Sequence, residues 1–227
     1  MEIDYGGVNG LVRIKEFFDE TTEKRMWWSD IFPDPVENKE RHMFALRTDD
    51  FTDDIINIIN KIKDLKDTKD KNEKQLFDIC VKWTKKGDHP MDYASTINYN
   101  GGSGFAAHYD SRYRWGPIIV GINLGRSMEL ELSRGSAAKG NRQVVRMELP
   151  RRSIYLMTGE ARTEWKHSIV AIPMKEFTKR TSDIPDWNIN NMRRSIILRE
   201  SLFGPKSDFP TEEELMKYRK QMYSNMD

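Results

Sequence analysis

Short apolar runs separated by turn residues dominate the chain from about residue 94 onward. Such runs are typical of strands in a β-sandwich or β-barrel. The alternation is clearest where Met128, Leu130 and Leu132 are separated by Glu129 and Glu131, as expected for a strand with one face in water. The candidate strands are residues 95–99, 105–108, 118–124, 128–132, 144–149, 154–158, 167–172 and 195–199. This pattern predicts a layered β-structure.

The two ends of the chain have a different pattern. Residues 1 to about 92 are mixed, but Ile55, Ile58, Ile59 and Ile62 recur at helical spacing and predict an amphipathic helix that extends to about Leu65. Near the other end, residues 211–214 read Thr-Glu-Glu-Glu, which has the form of a capping box and predicts a final helix over about 211–223. Helices at the ends and strands in the middle indicate the α+β class.

Composition narrows the type of protein. A chain of 227 residues is long enough for one catalytic domain with an N-terminal extension. Lys and Arg number 37 against 36 Asp and Glu, so nucleic-acid binding would need a local basic patch. The single cysteine, Cys80, excludes an internal disulfide and a cysteine-rich zinc site. Without an apolar leader or a membrane-length apolar run, we expect no membrane partner and an intracellular location, cytoplasmic or nuclear.

A possible metal site comes from His108, Asp110 and His167. His108 and Asp110 are two positions apart, and in extended backbone this spacing puts both side chains on one face. The pair alone is a weak signal, since such a spacing arises easily by chance. His167 opens a separate apolar run and offers a third ligand. Two histidines and one carboxylate leave other metal positions open for a co-substrate and O2, as in non-haem Fe(II) oxygenases.

A second candidate site is the strand at residues 193–199, which has an arginine at each end. Arg193 and Arg199 bracket an apolar strand that would span about 20 Å. Guanidinium groups pair bidentately with carboxylates, so the two arginines could grip a small dicarboxylate. The alternative is an ordinary strand with surface arginines at its ends.

The chain resembles the AlkB family of oxygenases over about residues 94–200, in the order and spacing of several motifs. These motifs are Ile97-Asn-Tyr99, Gly101-Gly-Ser-Gly104, His108-x-Asp110, Trp115-Gly-Pro117, Asn123-Leu-Gly125, Leu149-Pro-Arg-Arg-Ser153, Thr158-Gly-Glu-Ala-Arg162, Trp165-Lys-His167 and Arg193-x5-Arg199. The resemblance implies a double-stranded β-helix, or jelly roll, with an N-terminal α/β lid for substrate recognition. It divides the chain into a lid (1–93), a catalytic core (94–200) and a C-terminal tail with a helix (201–227).

The resemblance also implies cofactors and roles. Fe(II) would be held by His108, Asp110 and His167, and 2-oxoglutarate would serve as co-substrate. Arg193, helped by Tyr99, would bind its distal carboxylate, and Arg199 would lie near its iron-chelating end. The reaction would consume O2 and oxidise a C–H bond. One departure concerns the position two residues before Tyr99, which is often Asn in the family and is Ile97 here, with Asn98 shifted by one.

For the substrate, the resemblance favours a modified base in RNA or DNA that is demethylated or hydroxylated. A strip of basic residues around one hairpin could contact phosphates, although a solvated hairpin is the plain alternative: Arg134, Lys139, Arg142, Arg146, Arg151 and Arg152. The aromatic side chains of Trp27, Trp28, Phe32 and Tyr93 could stack on an extruded base, although isolated aromatic residues more often belong to the core.

Arg112 bears on which base is accepted. Bacterial AlkB-type repair enzymes have an acidic residue two positions after the iron-binding Asp, where it favours a cationic methylated base. Arg112 at this position would repel such a base and favour a neutral, carbonyl-bearing one, provided that its side chain reaches the pocket. The alternative is that Arg112 points to solvent.

Two other functions remain open from the sequence. One is an oxygenase of the same chemistry that acts on a protein side chain. The other is a catalytically silent nucleic-acid-binding module, against which the intact His/Asp/His set and arginine pair argue. The sequence leaves the oligomeric state open.

Overall fold

The computed structural model describes residues 2–34, 40–65, 91–112 and 114–201. Its strands are β1 (Glu2–Tyr5), β2 (Leu11–Lys15), β3 (Arg41–Arg47), β4 (Tyr93–Tyr99), β5 (Phe105–His108), β6 (Trp115–Leu124), β7 (Met128–Arg134), β8 (Gln143–Leu149), β9 (Ile154–Met157), β10 (Lys166–Ile169) and β11 (Arg193–Ser201). Its α-helices are α1 (Glu20–Trp27), α2 (Asp53–Asp64), α3 (Gly159–Thr163) and α4 (Met174–Phe177), with 3-10 turns at Thr48–Asp50 and Ala137–Lys139.

The strands form two antiparallel sheets. One has seven strands in the order β1-β2-β9-β6-β11-β4-β3, and the other has four in the order β5-β10-β7-β8. One hydrophobic cluster contains residues from both sheets, among them Ile97 and Ile119 from the larger sheet and Leu130 and Leu132 from the smaller. The inner faces of the two sheets therefore pack on each other, which is the jelly-roll arrangement of the α+β fold expected from the sequence.

All eight strands expected from the sequence are present. The alternation that predicted β7 reflects true burial, because Met128, Leu130 and Leu132 are at most 3% exposed and belong to the core between the sheets. Glu129 and Glu131 point the other way and form ion pairs with Arg146 across the surface. The alternation of apolar and acidic residues therefore predicted both the strand and which of its faces is buried.

Helices cover the outer face of the seven-stranded sheet. The predicted amphipathic helix is α2, which begins after the N-cap Thr52 and buries Ile55, Ile58, Ile59 and Ile62. Helix α1 begins after Asp19, whose side chain accepts a hydrogen bond from the Thr22 amide. Sequence periodicity did not reveal α1, because its composition is mostly polar.

The N-terminal segment contributes strands to the larger sheet. Strands β1 and β2 extend it at one edge, through the pairing of β2 with β9, and β3 extends it at the other through β4. The sequence pattern did not predict these three strands. The division of the chain at residue 93 stays a prediction, and the helix expected over about 211–223 lies outside the described residues. Among the residues described, none of the helices has the length and apolar character to cross a bilayer.

Candidate functional site

The three candidate metal ligands meet on the smaller sheet. Strands β5 and β10 pair with His108 opposite His167, and Asp110 follows the end of β5. One ligand atom from each residue can be chosen so that all three lie within 4.8 Å of one another. The two imidazole centroids are 4.3 Å apart, and Nε2 of His167 is 3.7 Å from Oδ2 of Asp110. A local two-residue spacing and one cross-strand contact thus assemble a group that could hold a metal ion.

The charges in this group suit a divalent cation. Burial lowers the pKa of His167 to about 3, so its imidazole is neutral and can donate a lone pair. Burial alone would raise the pKa of Asp110, but the charge and hydrogen bond of Arg199, together with the charge of Arg162, favour the ionised carboxylate and the pKa is lowered. A neutral imidazole beside an ionised carboxylate is the donor set that transition metals bind.

Asp110 is held by two arginines. Arg199 on β11 places Nη2 at 3.0 Å from Oδ1 of Asp110, while its Nη1 donates to the Ser95 hydroxyl at 3.0 Å. Arg162 on α3 donates to the backbone carbonyls of Asp110 and Ser111 at 2.8 and 3.0 Å. Both guanidinium groups are buried, so the carboxylate and its backbone are fixed from two sides.

A cavity of about 210 Å³ opens over these residues, between the two sheets. Its lining comprises Met43, Ile97, Tyr99, Phe105, His108, Asp110, Tyr155, His167, Ser168, Ile169, Ile197 and Arg199. There is room for the Tyr155 ring because the residue opposite it on β6 is Gly121. Any larger side chain at position 121 would collide with the tyrosine ring. Apart from Asp110, no lining residue in the described part of the chain carries a carboxylate.

Arg193 lies buried beside Tyr99. Its side chain is 1% exposed, its guanidinium carbon is 5.1 Å from the Tyr99 ring centroid, and Nη2 donates to the carbonyls of Gly102 and Ser103. Nε and Nη1 have no hydrogen-bond partner within the described residues. Burial lowers the pKa of Arg193 to about 10, so it stays charged at neutral pH. A buried cation with two unused donor atoms fits a carboxylate ligand.

The family follows from comparison with known proteins. The model of the 2OG-Fe(II) oxygenase superfamily matches residues 13–199. The chain belongs to this superfamily. The donor set and the buried arginine described above fit Fe(II) and 2-oxoglutarate, the two ligands from which this superfamily takes its name.

Its likeness is to AlkB-type members of the superfamily. The tRNA (carboxymethyluridine(34)-5-O)-methyltransferase ALKBH8 of Macaca fascicularis is 30% identical over 139 residues, which cover 54% of this chain and 20% of that protein. The chain thus spans about a fifth of the length of this relative. The solved structure of OsALKBH1 matches with a TM-score of 0.55 at 12% identity, covering 88% of this chain and all of that one.

A prolyl hydroxylase from Trichoplax adhaerens, solved with a hypoxia inducible factor peptide, matches with a TM-score of 0.50 at 14% identity. The match covers 85% of this chain and 84% of the hydroxylase. At these identities, both structures show that the jelly-roll fold is shared.

The shifted asparagine of this AlkB-like oxygenase does not face the cavity. Ile97 and Tyr99 line it, whereas Asn98 points to the opposite face of the sheet and donates to the Pro33 carbonyl at 3.3 Å. The neighbouring polar group on the cavity side is the hydroxyl of Ser195. Burial raises the pKa of the Tyr99 phenol, and the nearby Ser195 hydroxyl offsets part of that rise. The amide of Asn98 therefore lies on the face away from the cavity.

The aromatic residues expected to stack on a base lie elsewhere. Trp27 is 4% exposed on the helix-covered face, 5.3 Å from Trp187 and under the guanidinium of Arg194, and Phe32 contacts the same guanidinium. Trp28 is 63% exposed at the end of α1 and does not line the cavity. Tyr93 is buried against Trp115, with centroids 4.4 Å apart. Trp27, Phe32 and Tyr93 therefore serve packing, because the sheet or its core encloses them.

Arg112 lies outside the cavity. Its exposed guanidinium donates to the Thr163 carbonyl and lies 5.9 Å from the ring centroid of Tyr109. The Arg112 side chain therefore points to solvent, which was the alternative left open by the sequence.

The basic strip is largely neutralised by carboxylates. Arg142 and Arg146 pair with Glu131, and Arg134 pairs with Glu160. The next two arginines are also paired, Arg151 with Glu20 and Glu23 and Arg152 with Glu16. Lys139 lies in the 3-10 turn of the hairpin. This arrangement favours the solvated-hairpin interpretation over a strip of phosphate contacts.

Sequence reasoning did not single out several residues that the structure places at the site. Ser95 and Arg162 support Arg199 and Asp110, while Met43 and Phe105 line the cavity. Arg162 is the last residue of the motif Thr158-Gly-Glu-Ala-Arg162, which contributed to the family resemblance. That motif was a signal from which Arg162 could have been identified. Met43 had none, because β3 shows no clean alternation and its place beside the cavity depends on pairing with β4.

Proposed function

We propose that this dioxygenase oxidises a neutral, carbonyl-bearing modified base in RNA or DNA, with removal of a methyl group or hydroxylation as the outcome. The observation that carries the proposal is the cavity beside His108, Asp110 and His167, which is mostly apolar and aromatic. Its carboxylate, Asp110, is already committed to Arg199. A cationic base would find no partner there, whereas a flat neutral ring would be buried among apolar groups.

We assign His108, Asp110 and His167 as the iron ligands. Three protein ligands on one side leave the remaining positions open for 2-oxoglutarate and O2. When bound, the iron and 2-oxoglutarate supply the oxidation of a C–H bond, and the protein supplies orientation and a site sheltered from water. The neutral state of His167 and the ionised state of Asp110 support this assignment.

We assign Arg193 and Tyr99 to the distal carboxylate of 2-oxoglutarate. The unused Nε and Nη1 atoms of Arg193 support this role, because a buried donor without a partner is costly and a carboxylate would satisfy it. Arg199 lies beside Asp110, and we assign it to orienting that ligand near the iron-chelating end of the co-substrate.

The relatives support the substrate class. The similar methyltransferase acts, by its name, on a modified uridine in tRNA, and uridine is a neutral base with carbonyl oxygens. Only about a fifth of that protein aligns with this chain, so its activity is carried over here as a proposal. A nucleic-acid substrate of this kind also implies a cytoplasmic or nuclear location.

A substrate panel tests the proposal. Matched oligonucleotides carrying a modified uridine, 1-methyladenine or 3-methylcytosine are incubated with Fe(II), 2-oxoglutarate and O2, and succinate and the modified nucleoside are quantified. We expect coupled turnover on the uridine and little on the cationic bases. Turnover on a protein side chain, with none on any oligonucleotide, would contradict the nucleic-acid assignment.

A further inference from the structure

The three assigned iron ligands differ in how firmly the protein holds them. His167 lies on β10, which is paired on both sides, with β5 and β7. Asp110 is fixed by the two guanidinium groups of Arg199 and Arg162. His108 ends the four-residue edge strand β5 and is more exposed than either of the others. Its imidazole therefore needs support from side chains.

Phe105 provides that support on the same strand. The centroids of the Phe105 and His108 rings are 4.6 Å apart, with an interplanar angle of 31°. The Nδ1 atom of His108 lies 2.7 Å from the Ala106 carbonyl, which leaves Nε2 as the nitrogen available to a metal. Ring contact and hydrogen bond together restrict rotation of the imidazole.

Phe105 is held in turn by Arg41 at the start of β3. The guanidinium carbon of Arg41 lies 4.0 Å from the Phe105 centroid, and its Nη1 donates to the Gly104 carbonyl at 3.0 Å. Arg41 stands opposite Tyr99 in the pairing of β3 with β4. The contact therefore joins a strand from the N-terminal segment to the strand that carries His108.

We propose that Arg41 and Phe105 are positioning residues for the metal centre, acting in series to hold His108 in its metal-binding orientation. The inference rests on the proposed role of His108 as an iron ligand. A ligand that is already oriented loses less conformational freedom when the metal binds, so its supports raise metal affinity. Strand β3 is thereby part of the metal centre although none of its residues is assigned as a ligand.

Cobalt(II) titration of the metal-free protein, followed by its d–d absorption, measures this effect without turnover. Phe105→Leu is expected to weaken Co(II) binding about tenfold, the lower end of the range for residues that orient metal ligands. Arg41→Ala is expected to weaken it about threefold, as for loss of one cation–π contact. Because Arg41 acts through Phe105, the double variant should bind Co(II) no more weakly than Phe105→Leu alone.

Two further sets of variants separate positioning from general damage. Phe105→Tyr and Arg41→Lys keep the ring and the cation, so they should restore most of the affinity. Phe44→Ala serves as the matched control, because Phe44 lies on the same strand but on the face away from Arg41 and is 46% exposed. The midpoint of thermal unfolding of each metal-free variant shows whether the fold is retained.

These outcomes distinguish the positioning role of Arg41 and Phe105 from the assignment of His108 as an iron ligand. Unchanged Co(II) affinity in Arg41→Ala and Phe105→Leu, or additive losses in the double variant, overturns the positioning role. If wild type fails to bind Co(II), or His108→Ala binds it equally well, the assignment of His108 as a metal ligand is lost instead.

Discussion

Arg199 and Asp110 form an ion pair inside the protein, with both side chains about 10% exposed and Nη2 at 3.0 Å from Oδ1. A buried pair is costly to break from one side, because the remaining charge has neither water nor a partner. The second carboxylate oxygen, Oδ2, accepts from Nη2 of the same arginine at 3.2 Å and also lies 3.7 Å from Nε2 of His167. The pair thus fixes the direction in which Asp110 presents its charge.

Arg199→Met should destabilise the metal-free protein by about 3–5 kcal/mol, because Asp110 keeps a buried charge without its main partner. Urea unfolding measures the change. In the double variant Arg199→Met with Asp110→Asn, the further loss should be small or reversed. Equal losses from Asp110→Asn in both backgrounds would show that the two groups do not interact energetically.

His108→Ala, Asp110→Asn and His167→Ala should each abolish the oxidation of 2-oxoglutarate to succinate, because each removes one of three assigned iron ligands. Succinate release measures this loss, and circular dichroism checks that the fold survives. Asp110→Asn is preferred to Asp110→Ala, since the amide can still accept hydrogen bonds from Arg199. Full activity in any one variant would remove that residue from the site.

Arg193→Ala should raise the concentration of 2-oxoglutarate needed for half-maximal turnover by about 10- to 100-fold. A loss of this size is expected when one charged hydrogen-bonding partner is removed. The requirement for oligonucleotide should change little, because Arg193 is assigned to the co-substrate and its side chain is buried. Arg193→Lys should give an intermediate value, as it keeps the charge without the planar fork. An unchanged 2-oxoglutarate dependence would place the co-substrate elsewhere.

Met43→Asp should shift preference toward cationic bases. Met43 lines the cavity and is 46% exposed, so a carboxylate can be introduced there without breaking the core. Turnover of 1-methyladenine relative to a modified uridine should rise about fivefold, the effect of a partly exposed charge pair. Met43→Asn, equal in size but uncharged, is the control. Equal ratios in both variants would mean that charge in the cavity does not select the base.

Glu23→Ala should unfold the protein more easily by about 3–5 kcal/mol. Glu23 is fully buried on α1, where it accepts a hydrogen bond from the Gly125 amide and pairs with Arg151. Glu20 contacts the same arginine but is 54% exposed, so Glu20→Ala should cost less than about 1 kcal/mol. Chemical denaturation of the two variants measures the difference. Similar losses would show that burial of the Glu23 carboxylate does not matter.

The sequence by itself determined the strands of the core and the spacing of the candidate ligands. Alternation in β7 and the two-residue step from His108 to Asp110 depend only on the local backbone, which sends successive side chains to opposite faces. Arg193 and Arg199 were identified because they bracket one apolar run, and both lie on strand β11. These features could be predicted without knowing any contact between strands.

The tertiary structure decided which of the remaining residues reach the site. Arg41 lies near Phe105 only because β3 pairs with β4, and Arg162 reaches Asp110 only because α3 packs beside the end of β5. Trp27 is removed from the cavity because helix α1 covers the opposite face of the sheet. Register between distant strands and the choice of covered face depend on contacts far apart in the chain, and local periodicity carries no information about them.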